Sequence, residues 1–328
     1  MCKHVLGIDI SMRTFDVALL DEESIYSIGH FTNSHEGFQS LRRWLSNHGV
    51  DSLHACMEAT GRYGDDLAAF LRAEGYVVSR INPVRISAYG KSKLMRTKTD
   101  KMDAKLIADY CATQTPPPWN PPSVFRSELQ SLSRYLNELK SARTREINRS
   151  KTGIPSQAVR RSIQEHIDFL DEKIKQIEGE IKQLAKDNDE HREQLELLVS
   201  IPGISTTTAV KILAELPDLS SFPQARHLAS YAGLCPRQHQ SGSSVRKKPR
   251  LSKTGNPYLR EAFYMPAVCV MRGNNPLLQP FIHRMRSEGR KPIVIIGAVM
   301  RRLLHIAYGV LKTGKPYDPN YLSGSLST

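Results

Sequence analysis

Four acidic side chains stand where a lone carboxylate is costly or where two must point the same way. Asp9 sits inside VLGIDIS, a run whose Val5, Leu6, Ile8 and Ile10 demand burial, so an ionised group there needs a cation beside it. Glu58 closes a second apolar run, ACMEATG, in the same manner. Asp100 and Asp103 are three apart in TKTDKMDAKLIAD, a spacing that sets both carboxylates on one face of a helix. Hard oxygen donors of this kind suit Mg²⁺ or Mn²⁺, and two such ions roughly 3.5 to 4 Å apart stabilise both the attacking and the leaving oxygen of a phosphoryl displacement. Singly, each acid reads as a cap or a surface ion pair, and Asp100 as a favourable charge at a helix N-terminus. Their joint placement points to metal-assisted phosphodiester chemistry.

A second constellation lies far along the chain. Gln240-Ser241-Gly242-Ser243-Ser244 reads as a small flexible loop, followed by Arg246, Lys247, Lys248, Arg250 and Lys253. That cluster of cations draws a phosphate backbone. A serine hydroxyl is a weak nucleophile near neutral pH and needs a base or a metal, and no His-Asp pair stands nearby; His239 is only a candidate. On residue chemistry alone, a serine turn that merely contacts phosphate is the simpler reading.

The elements that must carry these groups follow from hydrophobic period. His4 to Ile10, Phe15 to Leu20 and Ile25 to Phe31 read as three strands of a meander, and further strands are expected near Leu53 to Met57 and Tyr76 to Ile81. Helical patterns run through Phe38, Leu41, Trp44 and Leu45, from Asp65 to Glu74, and from Lys98 to Cys111. The order predicts an α/β domain with a mixed sheet, on which the four acids meet at one edge. The proline-rich TPPPWNPPS from Thr115 to Ser123 predicts a stiff connector. Beyond it, Ile163, Ile167, Leu170, Ile174, Ile177, Ile181 and Leu184 recur at spacings of 4, 3, 4, 3, 4 and 3. Such a heptad seam predicts a coiled coil. The remaining segment, from LVSIPGIS onward, reads as mainly helical.

Of 46 basic and 33 acidic side chains, residues 1–199 hold 28 of each, so the whole surplus of +13 lies in residues 200–328. A basic half joined to a neutral half implies a polyanion-binding surface. The flanking Lys98 and Lys101, with Lys91, Lys93 and Arg96, offer further phosphate contacts beside the DxxD helix. Five cysteines, Cys2, Cys56, Cys111, Cys235 and Cys269, form no CxxC pair, and the eleven histidines form no HxH or HxxxH. These spacings argue against a disulfide framework or a zinc site and suggest reduced core cysteines. With no leader and no membrane-length apolar run, the expectation is a soluble cytoplasmic protein without a membrane partner.

The strand-one acid, the strand-four acid and the later helix resemble the ribonuclease-H-like fold of RuvC-type nucleases. With the EATG and TDxxDA contexts, the chain more narrowly resembles the DEDD insertion-sequence transposases, the bridge-RNA-guided recombinases of bacterial mobile elements. The resemblance continues through IPGI, AGLCPR, SGSSVR and KTGNPYLREAFYMPA, so it covers nearly the full chain. It implies that Asp9, Glu58, Asp100 and Asp103 are the catalytic, metal-binding quartet and that Ser241 is the nucleophile. It also implies a structured noncoding guide RNA, Mg²⁺ or Mn²⁺ as cofactor, donor and target DNA as partners, and a homodimer that assembles further on DNA. Lys98, Lys101, Arg237, Arg246, Lys247, Lys248, Arg250 and Lys253 are the expected nucleic-acid contacts. The expected architecture is α/β plus α: a RuvC-like domain over 1–125, a helical coiled-coil segment over 126–198 and a basic, mainly helical transposase domain over 199–328. Metals held by the acids would activate the serine, with the site completed between domains, within one protomer or across two. The competing readings are a RuvC-like endonuclease using metal-activated water and a noncatalytic nucleic-acid scaffold.

Overall fold

The computed structural model describes residues 4–59, 61, 63–94, 99–186, 189–241, 245–273 and 275–319. The chain divides into two compact units, Met1–Pro121 and Pro122–Thr328.

In the first unit, strands β1 (His4–Ile10), β2 (Thr14–Leu20) and β3 (Tyr26–Thr32) form the meander, helix α1 (His35–Asn47) leads to β4 (Leu53–Glu58), and α2 (Asp65–Ala73) leads to β5 (Val77–Ile81). Two helices follow, α3 (Pro83–Ser92) and α4 (Asp100–Gln114). The sheet order is β3-β2-β1-β4-β5, antiparallel within the meander and parallel from β1 to β4 to β5. This is the mixed α/β architecture of a RuvC-like domain.

Side-chain alternation divides the two faces of the sheet. Leu6, Ile8, Phe15, Val17, Leu19, Ala55 and Met57 pack with Phe38 and Leu41 of α1 and Leu67 and Leu71 of α2. On the other face, Gly7, Ala18 and Cys56 receive α4 through Ala104, Ala108, Ile107 and Cys111. The contact is close because both sides are small. A Cβ on Gly7 would lie 2.1 Å from the Ala104 carbonyl oxygen and 2.3 Å from the Ala108 nitrogen. Helix α3, started by Pro83 with Asn82 as its cap, is absent from the sequence reading, since its polar, Gly- and Ser-containing run carries little periodicity. It is tied to α4 by Tyr89 and Lys93, which both reach Asp109. The proline segment folds back along β5: the Trp119 nitrogen donates to the Val78 oxygen at 2.7 Å, and Arg72 donates to the Trp119 carbonyl at 2.6 Å.

The second unit is helical: α5 (Val124–Ser150), α6 (Gln157–Lys186), α7 (Asp189–Val199), α8 (Thr206–Glu215) and α9 (Ala225–Tyr231) precede a hairpin of β6 (Pro236–Ser241) and β7 (Val245–Leu251). Four more helices complete it, α10 (Pro257–Ala262), α11 (Tyr264–Arg272), α12 (Gln279–Ser287) and α13 (Pro292–Thr313). The heptad seam of α6 packs within the chain against α5. Ion pairs Lys140–Glu178 at 2.6 Å and Arg143–Asp171 at 2.5 Å cross the pair, and their order makes the two helices antiparallel. Leu129, Leu136, Leu170 and Ile174 of this helical pair belong to one apolar cluster with Leu198, Ile212, Phe263 and Leu303. Helix α13 has the length and apolar content of a membrane span. It is a core helix here, burying Val299, Leu303 and Leu304 while carrying Arg301 and Arg302.

Buried Glu215 fastens the unit together. Arg134 of α5 donates to it through Nε at 2.6 Å and Nη2 at 2.9 Å, and Asn256 donates through Nδ2 at 2.9 Å. Asn256 also caps α10 by accepting from the Tyr258 and Leu259 nitrogens. The Arg134 guanidinium lies 4.4 Å from the Tyr258 ring centroid. Tyr258 thus serves as a stacking partner inside the unit, while the neighbouring Phe263 is fully buried.

Candidate functional site

Strand pairing and the α4 contact decide where the acids lie. On β1 the side chains of Val5, Gly7 and Asp9 share the face that α4 covers; on β4 that face belongs to His54, Cys56 and Glu58. Ile8 pairs with Met57, so Asp9 and Glu58 stand side by side at the carboxyl ends of two parallel strands. Thr99 caps α4, its hydroxyl accepting from the Met102 nitrogen at 3.3 Å. The side-chain cap is thus supplied by the threonine, and Asp100 and Asp103 occupy the first turn, where a negative charge is stabilised by the helix dipole. The tight seating of Ala104 and Ala108 on Gly7 brings that first turn over Asp9.

The Asp9 carboxyl registers this convergence. Burial, followed by the charges of Asp103, Asp100, Glu58 and Asp16, raises it from 3.8 to about 6. The sequence-predicted quartet therefore comes together around Asp9. Asp16 is the acid that sequence reasoning missed. It pairs directly with Asp9 across the meander and with His30 of β3 on its other side, and His30 Nδ1 lies 3.0 Å from its carboxylate. Glu58, Asp9, Asp16 and His30 thus form one row across four strands. The signal was present in TFDVALL, where Asp16 interrupts an apolar strand as Asp9 does, but only the hairpin register sets it opposite Asp9.

Oxygen donors that crowd around Asp9 and raise its proton affinity fit a hard divalent cation, whose charge removes the repulsion. Asp9, Glu58, Asp100 and Asp103 have the donor chemistry for this, and Glu58, Asp100 and Asp103 all lie close enough to act on the Asp9 carboxyl.

The basic residues divide. Lys101 is exposed on the first turn of α4, and Arg237, Arg250 and Lys253 are exposed along the hairpin and just after it. Arg237 pairs directly with Arg250, a like-charge cross-strand arrangement that is unfavourable without an anion. Arg246, Lys247 and Lys248 lie on β7, and Ser241 ends β6 opposite Val245. The side chains of these four, and Lys98 as a whole, lie outside the described residues. The sequence reading of a small flexible loop around Ser241 is therefore corrected in part, since Gln240 and Ser241 belong to a paired strand. Lys93, expected to meet nucleic acid, is instead held by Asp109 at 3.0 Å. Beside the hairpin, a groove of about 1390 Å³ is lined by Leu251, Phe281 and Ile293 with Arg301, Arg302 and His305. Arg302 stacks on Phe281 at 3.7 Å.

A mixed five-stranded sheet with clustered acids at the ends of its central strands, under a helix that adds two more, defines a RuvC-like DEDD domain. Comparison with known proteins gives the same class. Residues 6–153 match the DEDD transposase profile of IS110 type, and residues 195–283 match the profile described as Transposase IS116/IS110/IS902 family. Relatives include the pilin gene-inverting proteins of Moraxella bovis and Moraxella lacunata, each 38% identical over 97% of this chain and 98% of the relative. The transposase for insertion sequence element IS1111A of Coxiella burnetii is 25% identical over 82% of this chain and 78% of its own length. The chain belongs to the IS110/IS116/IS902 transposase family. That family acts in DNA transposition and recombination, and its DEDD domain implies use of a divalent metal.

Proposed function

We propose that this protein is an RNA-guided DNA recombinase that cuts and rejoins donor and target DNA by transesterification, with Ser241 as nucleophile. The observation that carries the reading is the gathering of Asp9, Glu58, Asp100 and Asp103 on one face of the sheet, with the Asp9 carboxyl raised by burial and then by its acidic neighbours. Those four would hold Mg²⁺ or Mn²⁺, which supplies charge stabilisation for a phosphoryl group in transfer and for the hydroxyls on either side of it. Asp103 and Asp100, fixed in the first turn of α4, orient the acidic cluster. Asp16, anchored by His30, adds a smaller share of negative charge beside Asp9.

In the proposed step, the Ser241 oxygen forms a bond to phosphorus as the bond from phosphorus to one deoxyribose oxygen breaks. That oxygen leaves as a hydroxyl, taking up one proton for the proton lost by the serine. The protein-DNA ester conserves the phosphodiester energy, so a DNA hydroxyl can reverse the step on the same or a different strand without an external nucleotide. Arg237, Arg250, Lys253 and Lys101, exposed and basic, bind backbone phosphates, joined by Lys98, Arg246, Lys247 and Lys248. A structured bridge RNA pairing with donor and target DNA would supply sequence choice, and a homodimer assembling further on DNA would bring the two duplexes together in the cytoplasm. Near full-length similarity to proteins named for pilin gene inversion favours inversion of a segment within one DNA molecule as one outcome of the same chemistry.

The test is Ser241→Ala with element DNA, Mg²⁺ and co-purified RNA. The variant should bind DNA yet form no denaturant-resistant adduct. A persisting adduct rejects the nucleophile, hydrolysed ends without adduct in the wild type favour a water-using nuclease, and full activity after ribonuclease treatment rejects guidance.

A further inference from the structure

The face of β4 that carries Glu58 carries two other chemically active residues at alternate positions, His54 and Cys56. Opposite them, two helical turns beyond Asp103, α4 presents Cys111. A ring nitrogen of His54 and the sulfurs of Cys56 and Cys111 all lie within 4.8 Å of one another. Cys56 and Cys111 are sealed from solvent, at 0% and 1% exposure. The cluster is separate from the acids. Cys56 is two residues back along β4 from Glu58, about 7 Å at the rise of a strand, and Cys111 is eight residues along α4 from Asp103, about 12 Å at the rise of a helix.

We propose that His54, Cys56 and Cys111 form a binding site for Zn²⁺ that pins α4 to β4 beneath the acidic cluster. Thiolate and imidazole are the donors zinc prefers, at about 2.3 Å and about 2.0–2.1 Å. Donors on a tetrahedral ion at those lengths stand roughly 3.5–3.8 Å apart, so three atoms lying within 4.8 Å of one another need to close by at most about 1 Å. Two thiolates, a neutral imidazole and Zn²⁺ sum to zero charge, which suits a dry site between sheet and helix.

The surroundings orient the imidazole. His54 Nε2 lies 2.8 Å from Ser79 Oγ, and that oxygen lies 3.0 Å and 2.8 Å from the carbonyls of Pro116 and Pro117. The single serine proton goes to a prolyl carbonyl, so Ser79 accepts from His54 Nε2–H. The ring's lone pair is then on Nδ1. A ligating histidine that donates its other nitrogen to an outer partner is the usual arrangement in zinc sites. Bound zinc would hold α4 near its carboxyl end, as the Gly7 contact with Ala104 and Ala108 holds its middle, and so help fix the helix that bears Asp100 and Asp103 in its first turn.

The full-length protein, purified without chelator, is analysed for metal by mass spectrometry, then stripped and titrated with Zn²⁺ and with Co²⁺. About one zinc per chain and a thiolate-to-cobalt charge-transfer band in the wild type are expected. Cys111→Ser should lose both, Ser79→Ala should bind zinc about 10–100-fold more weakly, and Asp9→Asn should bind it as the wild type does. Because Cys111→Ser opens a buried contact, the cobalt spectrum of the unaltered protein stands as the independent measurement. No zinc and no charge-transfer band in the wild type overturns the site, as does zinc lost in Asp9→Asn but kept in Cys111→Ser. A Cys56–Cys111 disulfide in the isolated protein, seen as the loss of two hydrogens, overturns it equally.

Discussion

Removing the charge of Asp9 should make the metal-free protein more stable. Its carboxyl is raised from 3.8 to about 6, first by burial and then by Asp103, Asp100, Glu58 and Asp16. At about 1.36 kcal/mol for each tenfold change in proton affinity, that difference corresponds to at most about 3 kcal/mol. Asp9 is only half-buried, and screening by water brings the expected effect to about 1–2 kcal/mol. The sign follows from linkage. The folded state binds the proton more tightly than the unfolded chain, so ionised Asp9 opposes folding. The penalty is full above a pH of about 6, shrinks as pH falls towards 3.8, and is gone below it. Asp9→Asn should therefore stabilise the chelated protein by about 1–2 kcal/mol at neutral pH and make no difference below a pH of about 4. Urea unfolding followed by tryptophan fluorescence suits the measurement, because both tryptophans, Trp44 and Trp119, lie in the first unit. Added Mg²⁺ should reverse the order, since a ligand bound only to the folded state stabilises it in proportion to occupancy. Equal stability of the two proteins at neutral pH without divalent cation, or equal stabilisation of both by Mg²⁺, refutes the account of a crowded acidic cluster awaiting a cation.

Other expectations concern the scaffold and the DNA surface. Gly7→Ala forces a methyl group to within 2.1 Å of the Ala104 carbonyl and should destabilise the first unit by about 1–3 kcal/mol, the ordinary range for overpacking; Mg²⁺-dependent cleavage should fall with it, and wild-type cleavage by a stable variant would contradict the close α4 contact. Arg134→Ala leaves buried Glu215 without its bidentate partner, and circular dichroism should show the helical unit weakened by about 3 kcal/mol. Arg250→Ala should lower DNA affinity regardless of sequence and reduce the slope of log affinity against log salt by about one; an unchanged slope would remove Arg250 from the phosphate contacts.

Local chemistry made much of this protein legible. The five strands of the first unit and the helices α1, α2 and α4 follow from apolar runs and their period, because each buries one face against a common core. Asp9 and Glu58 stood out because carboxylates inside apolar strands need a reason, and Asp100 with Asp103 because helical spacing alone puts them on one side. Tertiary structure decided the rest. Strand register, a matter of long-range hydrogen bonding, set Asp16 beside Asp9. The docking of α4 on Gly7 and Ala18 joined Cys111 to His54 and Cys56, residues more than fifty positions away whose spacing shows no ligand motif. The β6–β7 hairpin was hidden because PRQHQS and VRKKPRL lack an apolar alternation: their pairing is a backbone property, and hydrophobic period reveals a strand only when one of its faces is buried.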